Sequence, residues 1–326
     1  IFTALFKGEG YTIDLFDATY YKDFDKTNMA TNANEERVKN RISPAYPVEE
    51  WEKKGGKEKW GIKEDFVKKV QEFKPDLILV SVLESTYFLA IELLSSVPQK
   101  DRNYKTLFGG VFATFATDKL TKNEYVDDIC RGEGEEAIME MCKKLCKGDR
   151  IDNVRNFTIK ANGQIYKNPL RPAVDINTIP IPDWDLFDPG SIYRPMQGKI
   201  WRTIGIETQR GCPYTCTFCA IASSHWTKVG RFSMDRIKAE INYIGKRAKV
   251  PELLIADDNF GIFKEDIETA KIIAKTQNKY NYPNYINQAT AKNNKDRIIE
   301  ISKILKGRFN PTAAVQSTDS EVLDII

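Results

Sequence analysis

One histidine, His225, stands among 326 residues, and that scarcity removes several chemistries at once. A histidine-rich metal cage is excluded, and a Ser–His–Asp triad requires His225 itself. Cysteine is sparse as well: six residues in a long, Lys-rich chain do not make the framework of a small secreted protein. A reducing, cytoplasmic setting is expected. No apolar run is long enough to span a bilayer, so no membrane span is expected, and no signal peptide is visible. Neither sign of charge dominates. The 49 basic and 46 acidic residues leave a formal net charge of +3, too even to favour nucleic acid as a partner. The chain begins Ile1-Phe2-Thr3, inside what reads as a helix, so a piece of a longer protein is expected.

What is present points to a globular α/β protein. Hydrophobic residues make up 41% and charged residues 29%, and the length suits two domains. Over residues 1–150, helical and strand patterns alternate. Residues 1–8 read as a helix end and residues 11–16 as a strand. Residues 20–61 are polar and irregular, a solvated insertion or a lid. Helices are expected over 63–73, 87–95, 113–120 and 135–146. Strands are expected over 77–82, 105–108 and 125–129. The run Leu77-Ile78-Leu79-Val80-Ser81-Val82 is apolar nearly throughout, as a strand buried on both faces of a parallel sheet should be. These elements predict an open, Rossmann-like (flavodoxin-like) sheet with helices on both faces, its first strand upstream of Ile1.

Residues 151–195 read as a connector holding a β-hairpin over 157–166, turned at Asn162-Gly163. Residues 196–326 begin a second βα series, with strands over 203–208, 253–256, 285–289 and 313–316. Helices over 234–248, 264–275 and 295–305 separate them. The spacing fits βα units of a TIM-like barrel, cut short at Ile326.

Cys212, Cys216 and Cys219 follow the first of these strands directly, in the spacing Cys-x3-Cys-x2-Cys. Functional groups of such barrels sit in the loops after the strands. Three thiolates can hold three irons of a [4Fe–4S] cluster and leave the fourth open, whereas an electron-transfer cluster normally has four cysteine ligands. Three other readings stand beside this one: buried, unliganded thiols; a zinc site completed by His225; or a four-cysteine cluster completed from far upstream. Cys130, Cys142 and Cys146 read as small hydrophobes, or as a second cluster.

The segment resembles the CxxxCxΦC signature of the radical S-adenosylmethionine superfamily, with Phe218 at the aromatic position. The resemblance implies that Cys212, Cys216 and Cys219 carry a [4Fe–4S] cluster, whose open iron is chelated by S-adenosylmethionine. Reductive cleavage then gives a 5′-deoxyadenosyl radical, and Phe218 lies by the adenine. Asp257-Asp258-Asn259-Phe260 resembles a run found in one branch of that superfamily. Asp257, Asp258, Gln288, Gln316 and Ser317 match positions that bind S-adenosylmethionine or order the site. Helix capping, for the carboxylates, and a turn or cap, for Ser317, are the alternatives. Glu207 and Arg210 flank the loop as an ion pair or as substrate contacts.

The first domain resembles the cobalamin-binding domain that precedes many such barrels. The resemblance rests on Leu77–Ser81, on Gly109-Gly110, and on Arg131-Gly132-Glu133-Gly134-Glu135. It implies cobalamin contacts at Ser81, Glu84, Gly109, Gly110, Gly132 and Glu133. A cobalt-ligating histidine of the DxHxxG type would precede Ile1. The function implied is methylation of an unactivated carbon on a small-molecule, natural-product or lipid-type substrate, with flavodoxin or ferredoxin as reductant. Radical cyclisation or rearrangement, methylthiotransferase-type sulfur insertion, and a non-enzymatic cobalamin or redox sensor or zinc-stabilised module are the alternatives.

Overall fold

A computed structural model describes residues 1–18, 21, 60–161, 163–187, 192–196, 199–221, 228–247, 252–291, 294–311 and 316–325. Most of the 20–61 insertion, Asn162, His225 and residues 313–315 of the fourth expected barrel strand lie outside the described residues. The chain divides into two units, residues 1–174 with 182–191, and residues 175–181 with 192–326.

In the first unit, α1 (Phe2–Gly8) and α2 (Ile62–Phe73) precede β1 (Leu77–Ser81) and α3 (Glu84–Ser96). Then come β2 (Lys105–Gly109), the short helices α4 (Val111–Phe115) and α5 (Thr117–Leu120), β3 (Asp128–Cys130) and α6 (Glu135–Lys147). The hairpin β4 (Phe157–Ala161) and β5 (Gln164–Lys167) completes one sheet of order β1-β2-β3-β4-β5. The first three strands are parallel, and the hairpin adds antiparallel to β3 with Cys130 opposite Phe157.

The alternation of β2 builds both layers, because successive side chains of a strand point to opposite faces. Leu107 packs with Phe6, Ile138, Met141 and Phe157, under α1 and α6. Phe108 packs with Phe66, Leu89, Leu93 and Ile129, under α2 and α3. Three expected elements differ, and the first is the strand expected over 125–129, which is confined to Asp128–Cys130. Residues 11–16 form no strand; Tyr11, Ile13 and Phe16 pack on the cores without joining the ladder, so their pattern records burial only. The helix expected over 113–120 breaks at Ala116. There the Thr117 hydroxyl donates to the Ala113 carbonyl at 2.8 Å, a back-bond that bends helices.

In the second unit β6 (Tyr193–Met196) pairs antiparallel with β7 (Lys199–Ile206). A two-rung ladder, β8 (Gln209–Arg210) with β9 (Gly230–Arg231), precedes α7 (Met234–Lys246). Ser233 caps α7, accepting from the Arg236 N–H, and Asp235 lies in its first turn. The strand β10 (Glu252–Phe260), α8 (Glu265–Tyr280), β11 (Tyr285–Thr290), α9 (Lys295–Ile304) and α10 (Ser320–Ile325) follow. The sheet order is β11-β10-β7-β6, with β7, β10 and β11 parallel, as the first strands of a βα barrel should be. A parallel bridge from Ile286 to Phe309 continues that side. Among the described residues no helix is long and apolar enough to cross a membrane.

Candidate functional site

The cysteine loop has a clamped base. Gln209 pairs with Arg231 and Arg210 with Gly230, so the chain that leaves at residue 211 returns at residue 229. The Phe232 N–H donates to the Thr208 carbonyl at 3.1 Å. Arg231 then ties this base to the barrel. Its guanidinium donates to Gln209 and, at 2.6 Å, to Asp266, and it lies 5.0 Å over the Phe263 ring. Gly211 is buried at φ 91°, a conformation that favours glycine, and it turns the chain directly into Cys212.

The central strand β10 grips this transition from one face. Buried and exposed residues alternate along it: Ile255, Asp257 and Asn259 point in, Ala256 and Asp258 out. The Asp257 Oδ1 accepts from the Thr208 N–H at 2.7 Å and from the Gln209 N–H at 3.2 Å; its Oδ2 accepts from the Thr208 hydroxyl. Burial pushes this carboxyl up to about 7, against those hydrogen bonds, which pull it down. Two residues further, the Asn259 Nδ2 donates to the Cys212 Sγ at 3.1 Å. Cys212 also accepts from the Tyr214 N–H, but burial and the neighbouring Asp258, Cys219 and Cys216 hold its thiol above the usual range. The Cys219 N–H donates to the Cys216 carbonyl at 3.1 Å.

All three cysteines are half-buried and free of disulfides. Among the described residues, no three His, Cys, Asp or Glu side chains close around a single ion. The donor set is three soft thiolates on one loop, the chemistry of an iron–sulfur cluster, in which each sulfur takes its own iron. Three thiolates on one loop are a donor set that fits such a cluster. Cys130 and Cys142 are buried in the first unit's core, and burial pushes their thiols up to about 12 and about 11, values of inert, space-filling cysteines.

The other expected site residues fall in different places. Phe218 is exposed on the loop. Asp258 is exposed beside the cysteine loop, its carboxyl raised by partial burial and by Glu207. Asp257 spends both oxygens on the strand-to-loop junction. Gln288 is buried, donating to the Asn310 carbonyl at 2.8 Å and the Thr290 hydroxyl at 3.1 Å. Ser317 accepts from the Asp319 N–H in a local turn, and Gln316 is exposed. Glu207 and Arg210 form an ion pair at 2.9 Å. The cysteine spacing does not point to Asn259. Only its place one step after Asp257-Asp258 signalled it, because its partner is 47 residues away.

In the first unit, three loops stand side by side at the carboxyl ends of β1, β2 and β3, where open parallel sheets bind ligands. Gly110, at φ 93°, sits so close to the first loop that a Cβ would meet the Val82 oxygen at 2.9 Å. Thr114 joins the second loop to the third, donating to the Gly110 carbonyl at 3.0 Å and accepting from the Gly132 N–H at 2.9 Å. Ser81 and Glu84 are exposed and Gly109 is half-buried. The Glu133 carboxylate accepts from the Val174 N–H at 2.8 Å. Exposed Leu83, Val111 and Phe115 flank the glycines, an apolar surface suited to a flat macrocycle such as the corrin of cobalamin.

Residues 55–141 match the B12 binding domain family. Over 267 residues the chain is 28% identical to the cobalamin-dependent radical SAM methyltransferase TokK of Streptomyces tokunonensis, covering 78% of this chain and 38% of that one. It is 32% identical over 215 residues to a 2-(S-pantetheinyl)-carbapenam-3-carboxylate methyltransferase of Streptantibioticus cattleyicolor, covering 64% and 31% of the two chains. The structure of the radical S-adenosylmethionine methyltransferase TsrM from Kitasatospora setae shares the fold. It aligns at a TM-score of 0.66 and 14% identity over 98% of this chain and 56% of that one. The chain spans less than half the length of these two curated relatives. With its glycine-bearing sheet loops and its three-cysteine barrel loop, the chain contains a match to the B12 binding domain family over residues 55–141 and is similar in sequence to cobalamin-dependent radical S-adenosylmethionine methyltransferases.

Proposed function

We propose that this protein is a cobalamin-dependent radical S-adenosylmethionine methyltransferase that methylates an unactivated carbon of a small-molecule or natural-product substrate. The observation that carries the reading is the three-thiolate loop, clamped between β8 and β9 at the carboxyl end of a parallel barrel strand. Bound there, the cluster with S-adenosylmethionine supplies a radical able to abstract hydrogen from carbon, and methylcobalamin supplies the methyl group.

The chain's own residues bind and orient. Cys212, Cys216 and Cys219 hold the cluster, and Phe218 offers its exposed ring to the adenine. Of Asp257 and Asp258 on β10, Asp258 would meet a cationic amino group, since Asp257 is committed to Thr208 and Gln209. The Ser81, Gly109-Gly110 and Gly132 loops, with Leu83, Val111 and Phe115, cradle cobalamin. A soluble electron donor of the flavodoxin or ferredoxin class, in a reducing cytoplasm, completes the reading.

The test is product analysis of the natural full-length protein, reconstituted anaerobically with iron, sulfide and cobalamin and supplied with S-adenosylmethionine and a reductant. The expected result is 5′-deoxyadenosine together with S-adenosylhomocysteine. 5′-Deoxyadenosine alone would move the reading to cyclisation or another radical reaction. Zinc without iron or sulfide would end it.

A further inference from the structure

The contact between Asn259 and Cys212 is of a kind that acts on electrons rather than on shape. Asn259 is 8% exposed, on the buried face of β10, and its amide nitrogen lies 3.1 Å from the Cys212 sulfur. The residue has no need to reach the loop in order to hold it. Asp257, about 6.5 Å back along the same face of the strand, already fixes the junction through Thr208 and Gln209. Residues 257 and 258 are both acidic, whereas residue 259 is the neutral, donating isostere of aspartate. A carboxylate in its place would set a negative charge against a thiolate ligand; an amide sets an N–H there.

We propose that Asn259 is a positioning residue that raises the reduction potential of the cluster through Cys212. The inference rests on the reading of the cysteine loop as cluster-bearing. When the cluster accepts one electron from an external one-electron donor, the added negative charge spreads onto its thiolate sulfurs. A hydrogen bond to a sulfur stabilises the reduced form more than the oxidised one, and such bonds are among the determinants of iron–sulfur potentials. The Tyr214 N–H supplies a second donor to the same sulfur. Cys212 is thus the ligand through which the barrel wall, and not only the loop itself, makes the cluster easier to reduce.

The experiment is an EPR-monitored redox titration of the reconstituted protein as wild type, Asn259→Ala, Asn259→Asp and Asn259→Ser, with iron and sulfide counted in each. Asn259→Ala is expected to lower the midpoint, cutting the reduced-to-oxidised ratio at a fixed potential roughly tenfold, ~59 mV for one electron. Asn259→Asp is expected to lower it further, by adding charge repulsion. Asn259→Ser, which keeps a donor, is expected to fall between wild type and Asn259→Ala. Loss of iron from Asn259→Ala with iron retained in Asn259→Ser supports the same donor role. An unshifted midpoint in fully loaded Asn259→Ala overturns the proposal, as does loss of iron from both variants, which marks a packing role. A wild type without iron and sulfide fails earlier and differently, because it removes the functional reading itself.

Discussion

Arg231 and Asp266 form an ion pair at 2.6 Å in which the carboxylate side is fully buried. Asp266 also accepts from the Gly261 N–H at 2.9 Å and the Phe263 N–H at 3.0 Å, so one side chain organises the turn after β10 and anchors the base of the cysteine loop. Removing one partner of a buried pair leaves the other uncompensated, at a cost of about 3–5 kcal/mol. Asp266→Asn is therefore expected to destabilise the second unit by that order, read by denaturant unfolding, and to lower iron retention. Iron loading and stability equal to wild type would contradict the anchoring role.

Asp257 yields a pH dependence with a definite sign. Its carboxyl is raised from 3.8 to about 7 by burial. In the window between those values the folded state holds a proton that the unfolded state has released. Stability from this group is therefore fullest below the unfolded value and is lost as pH rises through about 7. The metal-free protein is expected to show a descending component of unfolding free energy across that window. Asp257→Asn, which cannot titrate, is expected to lack it. Identical pH profiles for the two proteins would refute the assignment.

The fold was legible where one local pattern decided it. Leu77-Ile78-Leu79-Val80 announces a two-sided strand, and the alternation of Leu107 and Phe108 feeds two separate cores. The cysteine spacing marked the loop without any structure. What stayed hidden depends on distant partners. The pattern at Tyr11, Ile13 and Phe16 matched a strand, yet a strand also needs a neighbour to pair with, and no local pattern supplies one. Asp257 and Asp258 look equivalent in sequence, and strand alternation gives them opposite surroundings, one buried in hydrogen bonds and one exposed. Glu133, marked by its glycine-rich context, accepts from the Val174 N–H, 41 residues away. Thr114 looks like an ordinary helix residue, yet it stitches two ligand loops together.

Gly110 separates the two cofactor readings. A Cβ there would lie 2.9 Å from the Val82 oxygen and 3.2 Å from both the Ser81 Oγ and the Val82 nitrogen, on a backbone at φ 93°. Such strain costs about 1–3 kcal/mol, and it would push the first loop away from the second. Gly110→Ala is expected to lower the thermal stability of the first unit and to weaken cobalamin binding at least tenfold by equilibrium titration. Iron content is expected to be unchanged. Undiminished cobalamin affinity would place the cofactor elsewhere.

Five of the six cysteines divide by chemistry. Cys212, Cys216 and Cys219 lie half-buried on one loop, whereas Cys130 and Cys142 fill core space with thiols held far from ionisation. Replacing Cys216 by alanine is expected to abolish bound iron and sulfide, because three ligands are already one short of a full set. Cys142→Ala removes one buried sulfur. It is expected to cost about 1–2 kcal/mol of stability by loss of packing, with iron, sulfide and the cluster's visible absorption intact. Iron that survives Cys216→Ala, or disappears with Cys142→Ala, would mean that the metal is held by a different set of thiols.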